Sequence, residues 1–211
     1  MRALTWNLYH GRSPKPAGRS LLKEFSDALA GWEWDVALLQ EVPPWWPPKL
    51  AQATDAQVRT VLTSRNSLLW LRRVISDLNP DILKSNGGGA NAILVRGEIL
   101  DHRWVELTRT PERRVAHAVR LDSGWVLNVH SSTHRDEWAL RDTLRALEWA
   151  PQPLQLFGGD VNLRHPPELP GLTRVAGNHV DHLFTTGRPG RDAAVLDRGP
   201  LSDHPPVAVT I

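Results

Sequence analysis

The sequence contains no cysteine, one methionine, one tyrosine, and lysine only at positions 15, 23, 49 and 84. Without cysteine there is no disulfide framework, no thiolate zinc site and no cysteine nucleophile. The redox compartment stays open, because a cysteine-free chain is stable in either. No stretch approaches the roughly 18 apolar residues of a membrane span, so stable insertion into a bilayer is not expected. The first residues, MRALTWNLYHG, lack the long apolar run of a secretory signal and already alternate as a strand does, which leads us to expect a cytoplasmic protein. The scarcity of lysine and tyrosine also reconciles a pI of 9.4 with a formal charge of only +2. Few groups titrate between about pH 7 and pH 10, so the pI overstates the basicity. Attraction to a polyanion must come from local arginine clusters.

What is present is ordinary for a soluble globular chain. Hydrophobic residues make up 41% and charged residues 23% of 211, close to globular averages. That length suits one α/β domain over residues 1–211 with a large core. Arg2 to Leu8 alternates, with Ala3, Thr5 and Asn7 on one face and Leu4, Trp6 and Leu8 on the other, which reads as a strand. Ser20 stands where it caps a helix from Leu21 to about Ala30, with Glu24 reaching back as in a capping box. Asp35 to Leu39 is a short buried strand running into Gln40 and Glu41. The segment PPWWPP, 43–48, is expected to be a surface loop bearing two large aromatics, because proline removes donors and restricts its predecessor. A two-turn helix, a strand near Val58 to Thr63 and an amphipathic helix over Leu68 to Leu78 follow.

Gly87-Gly88-Gly89 then precedes a strand at Ala90 to Val95, with further strands at Leu100 to Leu107, Val115 to Leu121 and Trp125 to His130. A helix over Asp136 to Trp149 is expected to bury Trp138, Leu140, Thr143, Leu144 and Leu147, with Arg141 and Arg145 opposite. Leu154 to Phe157 forms a strand ending at Gly158-Gly159-Asp160, and two more strands lie at His179 to Thr185 and Pro206 to Ile211.

Apolar strands therefore finish repeatedly in polar residues: Asn7, Glu41, Asp160 with Asn162, Asp181, and Asp203 with His204. Strand ends in layered α/β proteins open onto a common edge, where ligand sites form. Carboxylates converging there repel unless a cation neutralises them, and oxygen donors without cysteine favour Mg²⁺ or Mn²⁺ over zinc. Each piece alone has an ordinary reading. Glu41 is a solvated strand end, GGDVN a turn, Asp203-His204-Pro205-Pro206 a proline turn, and His130 a satisfied core histidine. Their co-occurrence in order is the signal.

That ordered set resembles the endonuclease/exonuclease/phosphatase superfamily, which includes deoxyribonuclease I, AP endonucleases, inositol polyphosphate 5-phosphatases and neutral sphingomyelinases. The matching residues are Thr5-Trp6-Asn7, Gln40-Glu41, Asn128-Val129-His130, Gly159-Asp160-Val161-Asn162, Val180-Asp181-His182 and Ser202-Asp203-His204-Pro205-Pro206-Val207. GDxN followed by a strand aspartate and a terminal SDHxPV is the distinctive part. The resemblance implies a four-layer α/β/β/α sandwich with two mixed β-sheets face to face, as in deoxyribonuclease I, and a Mg²⁺- or Mn²⁺-dependent phosphoesterase. It implies metal ligation by Glu41, with Asn7 and Asp203 completing or supporting the shell. Asp160 orients or deprotonates the attacking water, and Asn162 holds water or a phosphate oxygen. His204 bonds the phosphoryl group with Asp181 as its carboxylate partner, and His130 contacts the phosphate or assists the leaving group. The family's mid-chain tyrosine or glutamate has no counterpart, the one tyrosine being Tyr9; Gly89-Ala90-Asn91-Ala92 occupies that region, with Asn91 as the substitute contact. His130 aligns the chain with the deoxyribonuclease, sphingomyelinase and 5-phosphatase branches rather than the AP endonucleases.

Two substrate classes remain open. A nuclease acting on DNA would use Arg113 and Arg114, with Arg109, Arg72 and Arg73, on backbone phosphates, and Trp45, Trp46 and Trp70 to stack on bases. A phosphatase or phosphodiesterase for a small molecule or lipid headgroup would use PPWWPP as a capping or interfacial element. A binding module without catalysis is disfavoured, since every position expected to do chemistry holds a competent residue, and no obligate protein partner is expected.

Overall fold

The computed structural model describes residues 1–63, 66–83 and 89–211, without the side chains of residues 77 and 78. Gly87 and Gly88, expected to lead into the strand at Ala90, lie outside the described residues.

Two six-stranded mixed sheets form the centre of the molecule. The first comprises β1 (Arg2–Asn7), β2 (Val36–Val42), β3 (Gln57–Leu62), β4 (Ala90–Val95), β11 (Arg191–Val195) and β12 (Val207–Thr210), in the order β11-β12-β1-β2-β4-β3. The second comprises β5 (Asp101–Thr108), β6 (Arg114–Leu121), β7 (Gly124–His130), β8 (Leu154–Asp160), β9 (Thr173–Asn178) and β10 (Asp181–Thr185), in the order β5-β6-β7-β8-β10-β9. Each sheet has one parallel pair at its middle, β1/β2 and β7/β8, and its other neighbours run antiparallel. Parallel neighbours need a crossover, usually helical. These are α1 (Leu22–Gly31) for the first pair and α4 (Asp136–Trp149) for the second. With α2 (Pro47–Ala53) beside α1 and α3 (Leu69–Leu78) after β3, the result is the expected α/β/β/α sandwich.

Three apolar layers match the four structural layers. Leu4, Trp6, Leu8, Leu39 and Leu94 meet Phe25, Leu29 and Leu50 of the first helices. Ala116, Leu127, Phe157 and Phe184 meet Ala139 and Ala146 of α4. Between the sheets lie Ala3, Leu38 and Ile93 against Val119, Val126, Leu156 and Leu183. The alternation of β1 is thus real but buried on both sides, its two faces serving different cores.

Four local expectations are corrected. The capping box of α1 does not form: Glu24 pairs with Arg19 at 2.5 Å, and the Ser20 hydroxyl reaches the Leu22 amide at 3.4 Å. PPWWPP is not a surface loop. Pro47 and Pro48 open α2, where proline loses nothing because first-turn amides lack partners, and Trp46 is 3% exposed against Phe25, ring centroids 5.5 Å apart. Gly11, with φ +71°, lies under that indole, where a Cβ would meet the ring at 2.3 Å. The buried stripe of α4 is Ala139, Asp142, Thr143 and Ala146, while Leu144 is exposed; small residues there let the helix sit close to its sheet. Finally, β9 and β11 are edge strands that the pattern did not suggest.

Candidate active site

Along β1, β7, β8 and β10 the alternation that sends Ala3, Val126, Leu156 and Leu183 between the sheets also sends Asn7, His130, Asp160 and Asp181 there. These four residues stand at strand ends and are at most 3% exposed. The inter-sheet layer becomes polar towards that edge. Gln40 donates to Thr5 Oγ1 (3.2 Å) and Asn128 Oδ1 (2.8 Å), and Asn128 donates to the Leu39 and Ala92 carbonyls at 3.0 Å. Gly159 is required for the approach to Asp160. Its φ is +131°, and a Cβ would lie 2.0 Å from the Val129 carbonyl.

Strict alternation would point Glu41 away from this layer, since Leu39 packs outward. A bulge between Leu39 and Val42, with Glu41 at φ +51°, re-aims it instead. Its Oε1 lies 3.8 Å from Nε2 of His130 in the opposite sheet, and its Oε2 lies 3.2 Å from Nε2 of His10. Tyr9, His10, Asn162 and Ser202 also have positive φ. Left-handed non-glycine residues carry about 1–3 kcal/mol of strain each and cluster at functional sites, as these do.

Hydrogen bonds fix the constellation. The Tyr9 amide donates to Asn7 Oδ1 (2.9 Å), which orients the Asn7 side chain so that Nδ2 donates to Asp160 Oδ2 (2.9 Å). The Asn162 amide donates to Asp160 Oδ1 (3.0 Å), and its Nδ2 donates to the Ser131 carbonyl (2.9 Å). Ser202 Oγ donates to the Asn7 carbonyl (2.7 Å) and accepts from the His204 amide (3.0 Å), while Trp6 Nε1 donates to the His204 carbonyl (2.8 Å). His204 Nδ1 meets Asp181 Oδ2 at 2.7 Å, and its Nε2 lies 3.8 Å from exposed Asp203.

The electrostatics follow from burial and neighbours. Burial opposes charging His204, but the hydrogen bond to Asp181 and the charges of Asp181, Asp160 and Asp203 outweigh it and lift the ring to about 9. Burial, then the charge of Asp181, pushes Asp160 up to about 7. Burial also raises Asp181, against the pull of His204. His130 is held well below its ordinary range by burial and by nearby Arg114, so it is neutral.

Beside this row opens a cavity of about 110 Å³ lined by His10, Glu41, Thr63, Gly89, Glu112, Arg114, His130 and Thr133. A second groove, sharing Thr133, is lined by Asp136, Asn162, Leu163, Arg164, His165 and Val180. The structure thus gathers Asn7, Glu41, His130, Asp160, Asn162, Asp181 and His204, with Asp203 at the rim. Arg114 reaches the first cavity, its guanidinium on Glu112 and its buried Nε without a partner among the described residues. Two expected recognition residues do not line this cavity. Asn91 is fully buried, donating to the Val115 carbonyl at 3.3 Å, and does not line the cavity. Arg113 instead binds Glu106 at 2.8 Å and the Leu62 carbonyl at 2.6 Å. Sequence reasoning passed over His10, Glu112 and Ser202. Ser202 stood inside a quoted motif, and His10 lies three residues beyond Asn7.

The donors present fit a hard divalent ion. Glu41 supplies carboxylate oxygen beside Asp160, and His130 Nε2, 3.6 Å from Asp160 Oδ2, is buried without a hydrogen-bond partner among the described residues. A buried aspartate reluctant to ionise beside two other carboxylates is the imbalance a cation relieves. Asp160, Asp181 and His204 also bring ligand atoms within 4.8 Å of one another. There, however, Asp181 Oδ2 and His204 Nδ1 already hold each other, which leaves the Glu41 side as the better place.

The family model for the endonuclease/exonuclease/phosphatase family matches residues 4–204. Among solved structures, an endonuclease/exonuclease/phosphatase from Beutenbergia cavernae superposes with TM-score 0.75 at 18% identity, over 99% of this chain and 70% of that one. A humanised D. rerio TDP2 gives 0.68 at 16%, over 99% and 97%. A mannosyl-6-phosphatase from Bacteroides thetaiotaomicron gives 0.68 at 13%, over 100% and 98%. No curated protein sequence matches. At these identities the structures speak for the fold, and the family match extends from β1 to the His204 loop. The chain belongs to the endonuclease/exonuclease/phosphatase family of hydrolytic phosphoesterases.

Proposed function

We propose that the chain hydrolyses phosphodiester bonds in a Mg²⁺- or Mn²⁺-dependent reaction, with a DNA strand as substrate. The observation that carries the diester reading is that two openings with basic linings meet the row of polar strand ends. His10 and Arg114 line the cavity, and Arg164 and His165 line the groove that shares Thr133 with it. A diester continues on both sides of the scissile phosphorus, and basic groups in both openings suit its flanking phosphates.

In this reading Glu41 holds the cation, with Asn7 and Asp203 supporting the shell. When bound, that ion neutralises charge on the phosphoryl oxygens and acidifies water. Asp160, its two oxygens fixed by Asn7 and Asn162, orients the attacking water and takes its proton; burial raises the carboxyl in the metal-free chain, and a bound cation would favour its ionised, basic form. His204, kept as imidazolium by Asp181, donates Nε2–H to a phosphoryl oxygen, where charge accumulates. Neutral His130 faces the phosphate or leaving group. No covalent intermediate is needed.

A second reading, a small-molecule phosphatase, is favoured by the charge balance around the arginines. Glu112 engages Arg114, and Glu106 engages Arg109 and Arg113. The stacking tryptophans and the interfacial loop both lose support with Trp46 buried. The test is a panel of plasmid DNA and bis(4-nitrophenyl) phosphate against 4-nitrophenyl phosphate and sugar phosphates, with Mg²⁺ and Mn²⁺. Faster turnover of monoesters than of every diester would overturn the proposal, and a rate on DNA indifferent to NaCl would remove nucleic acid from it. Asp160→Ala and His204→Ala should each abolish hydrolysis and leave the fold intact.

A further inference from the structure

The buried face of α4 carries a charge that the packing of helix on sheet does not need. Asp142 is 0% exposed and sits between Ala139 and Ala146, both in the apolar layer. A carboxylate is far costlier to bury than an alanine unless it is well bonded. Asp142 is well bonded through both oxygens. Its Oδ2 accepts from the Ser132 amide (3.1 Å) and the Ser132 hydroxyl (2.5 Å). Its Oδ1 accepts from Thr108 Oγ1 (3.0 Å) and from Arg141 (3.1 Å). The next residue, Thr143, also buried, donates to the Ala139 carbonyl and so accepts from Ser131 Oγ at 3.0 Å.

Ser131 and Ser132 are the two residues directly after His130. The Ser131 amide donates to the Asp160 carbonyl (2.9 Å), and the Ser131 carbonyl accepts from Asn162 Nδ2 (2.9 Å). The segment held by α4 therefore holds two groups of the site. It ends the strand that presents His130, and it fixes which edge of the Asn162 side chain faces the reacting groups. We propose that Asp142 is a positioning residue for hydrolysis, with Thr143 as its adjunct. The pair clamps Ser131-Ser132 so that Asn162 and His130 stand in their working orientation. The inference rests on the site described under Proposed function.

The experiment measures kcat and KM for bis(4-nitrophenyl) phosphate with saturating Mn²⁺ in Asp142→Asn, Thr143→Val, Thr108→Val, Asn162→Ala and the Asp142→Asn/Asn162→Ala double variant. Folded fraction is checked by circular dichroism at the assay temperature. Asp142→Asn removes the charge that strengthens both bonds from Ser132 and leaves one oxygen to serve donors on two sides. Small displacements of catalytic groups cost up to about a hundredfold, so kcat should fall about tenfold to a hundredfold with KM within about twofold. Thr143→Val, which loses the bonds to Ser131 Oγ and to the Ala139 carbonyl but little volume, should fall less in the same way. Thr108→Val, which touches the other oxygen of Asp142, should lower thermal stability and leave kcat unchanged. The double variant should lose less than the product of the two single losses, because part of the route runs through Asn162. Wild-type kcat in folded Asp142→Asn overturns the proposal, as does a double-variant loss equal to the product of the single losses. If Asp142→Asn does not fold, unchanged kcat in Thr143→Val overturns it. Wild-type turnover in Asn162→Ala would instead refute the site assignment itself.

Discussion

Replacing Asp181 by asparagine keeps the shape of the His204 partner and an oxygen able to accept from Nδ1, while removing the charge that holds the ring as imidazolium. His204 stands at about 9 with Asp181 in place, against about 6.5 for an ordinary histidine. That gap corresponds to about 3 kcal/mol of preference for the charged ring. At pH 7.5 a ring at 9 is about 97% protonated and one at 6.5 about 10%. Burial pushes the variant ring lower still, so at least a tenfold loss of kcat/KM is expected at that pH. The acid limb should also move down, though less, because the charge of Asp181 is the second cause of the raised Asp160 carboxyl. The pH–rate profile on bis(4-nitrophenyl) phosphate with saturating Mn²⁺ should therefore shift acidward, its alkaline limb by about two units or more. Asp122→Asn is the control, since Asp122 is exposed and lies outside the site, where solvent screens its charge. An NMR titration of His204 in the metal-free protein reads the same shift without turnover. An alkaline limb that stays in place, with kcat/KM at pH 7.5 within twofold of wild type, would refute the Asp181–His204 account.

Asp160→Asn should abolish hydrolysis yet raise metal-free stability at pH 8, by about 1–2 kcal/mol after one lost hydrogen bond is set against relieved repulsion; urea denaturation checks this, and the gain should shrink towards pH 5. For the parent protein, the folded Asp160 carboxyl at about 7 lies above its unfolded value. The folded state then holds an extra proton from about pH 4 to 7, and metal-free stability declines as pH rises through that window. Mg²⁺ or Mn²⁺ should accordingly raise Tm more at pH 8 than at pH 5, and EDTA should abolish turnover, as differential scanning fluorimetry and the same assay would report. Trp46→Ala should cost about 3–5 kcal/mol, the range for large aromatics removed from cores, in urea denaturation; a loss below about 1 kcal/mol would return PPWWPP to the surface.

The strand ends were legible because two periodicities coincide there. Asn7, His130, Asp160 and Asp181 continue the inward alternation of strands whose apolar members are readable, and they carry the distinctive motifs. Glu41 was legible by its place in the order but not by its direction, which depends on a bulge and a left-handed residue. Asp142 was invisible for a different reason. A charge on a helix normally marks the solvated face, so the pattern of α4 points towards Leu144, which is exposed, and away from Asp142, which is buried. The edge strands β9 and β11 gave no clear pattern because most of their residues are half-exposed or exposed. The place of Trp46 is not legible because proline pairs usually break regular structure, whereas Pro47 and Pro48 start a helix here.

The contacts that assemble the site also fasten the two sheets together. Asn7 of β1 donates to Asp160 of β8, and Gln40 of β2 donates to Asn128 of β7. Each sheet contributes the end of its parallel pair, and the apolar layer beneath fixes their separation. This rigidity suits phosphoryl chemistry, in which positioning and charge complementarity do most of the work. Its consequence is a concentration of like charge in a place that excludes water, visible in the raised Asp160 and Asp181 carboxyls. The amide ties and the His204 imidazolium offset part of that repulsion, and a divalent ion at Glu41 would offset more. Substitutions that neutralise the carboxylates should therefore help folding while removing function, whereas those that cut the amide ties should harm both. Stability and activity measured side by side distinguish the charged members of the site from those that orient them.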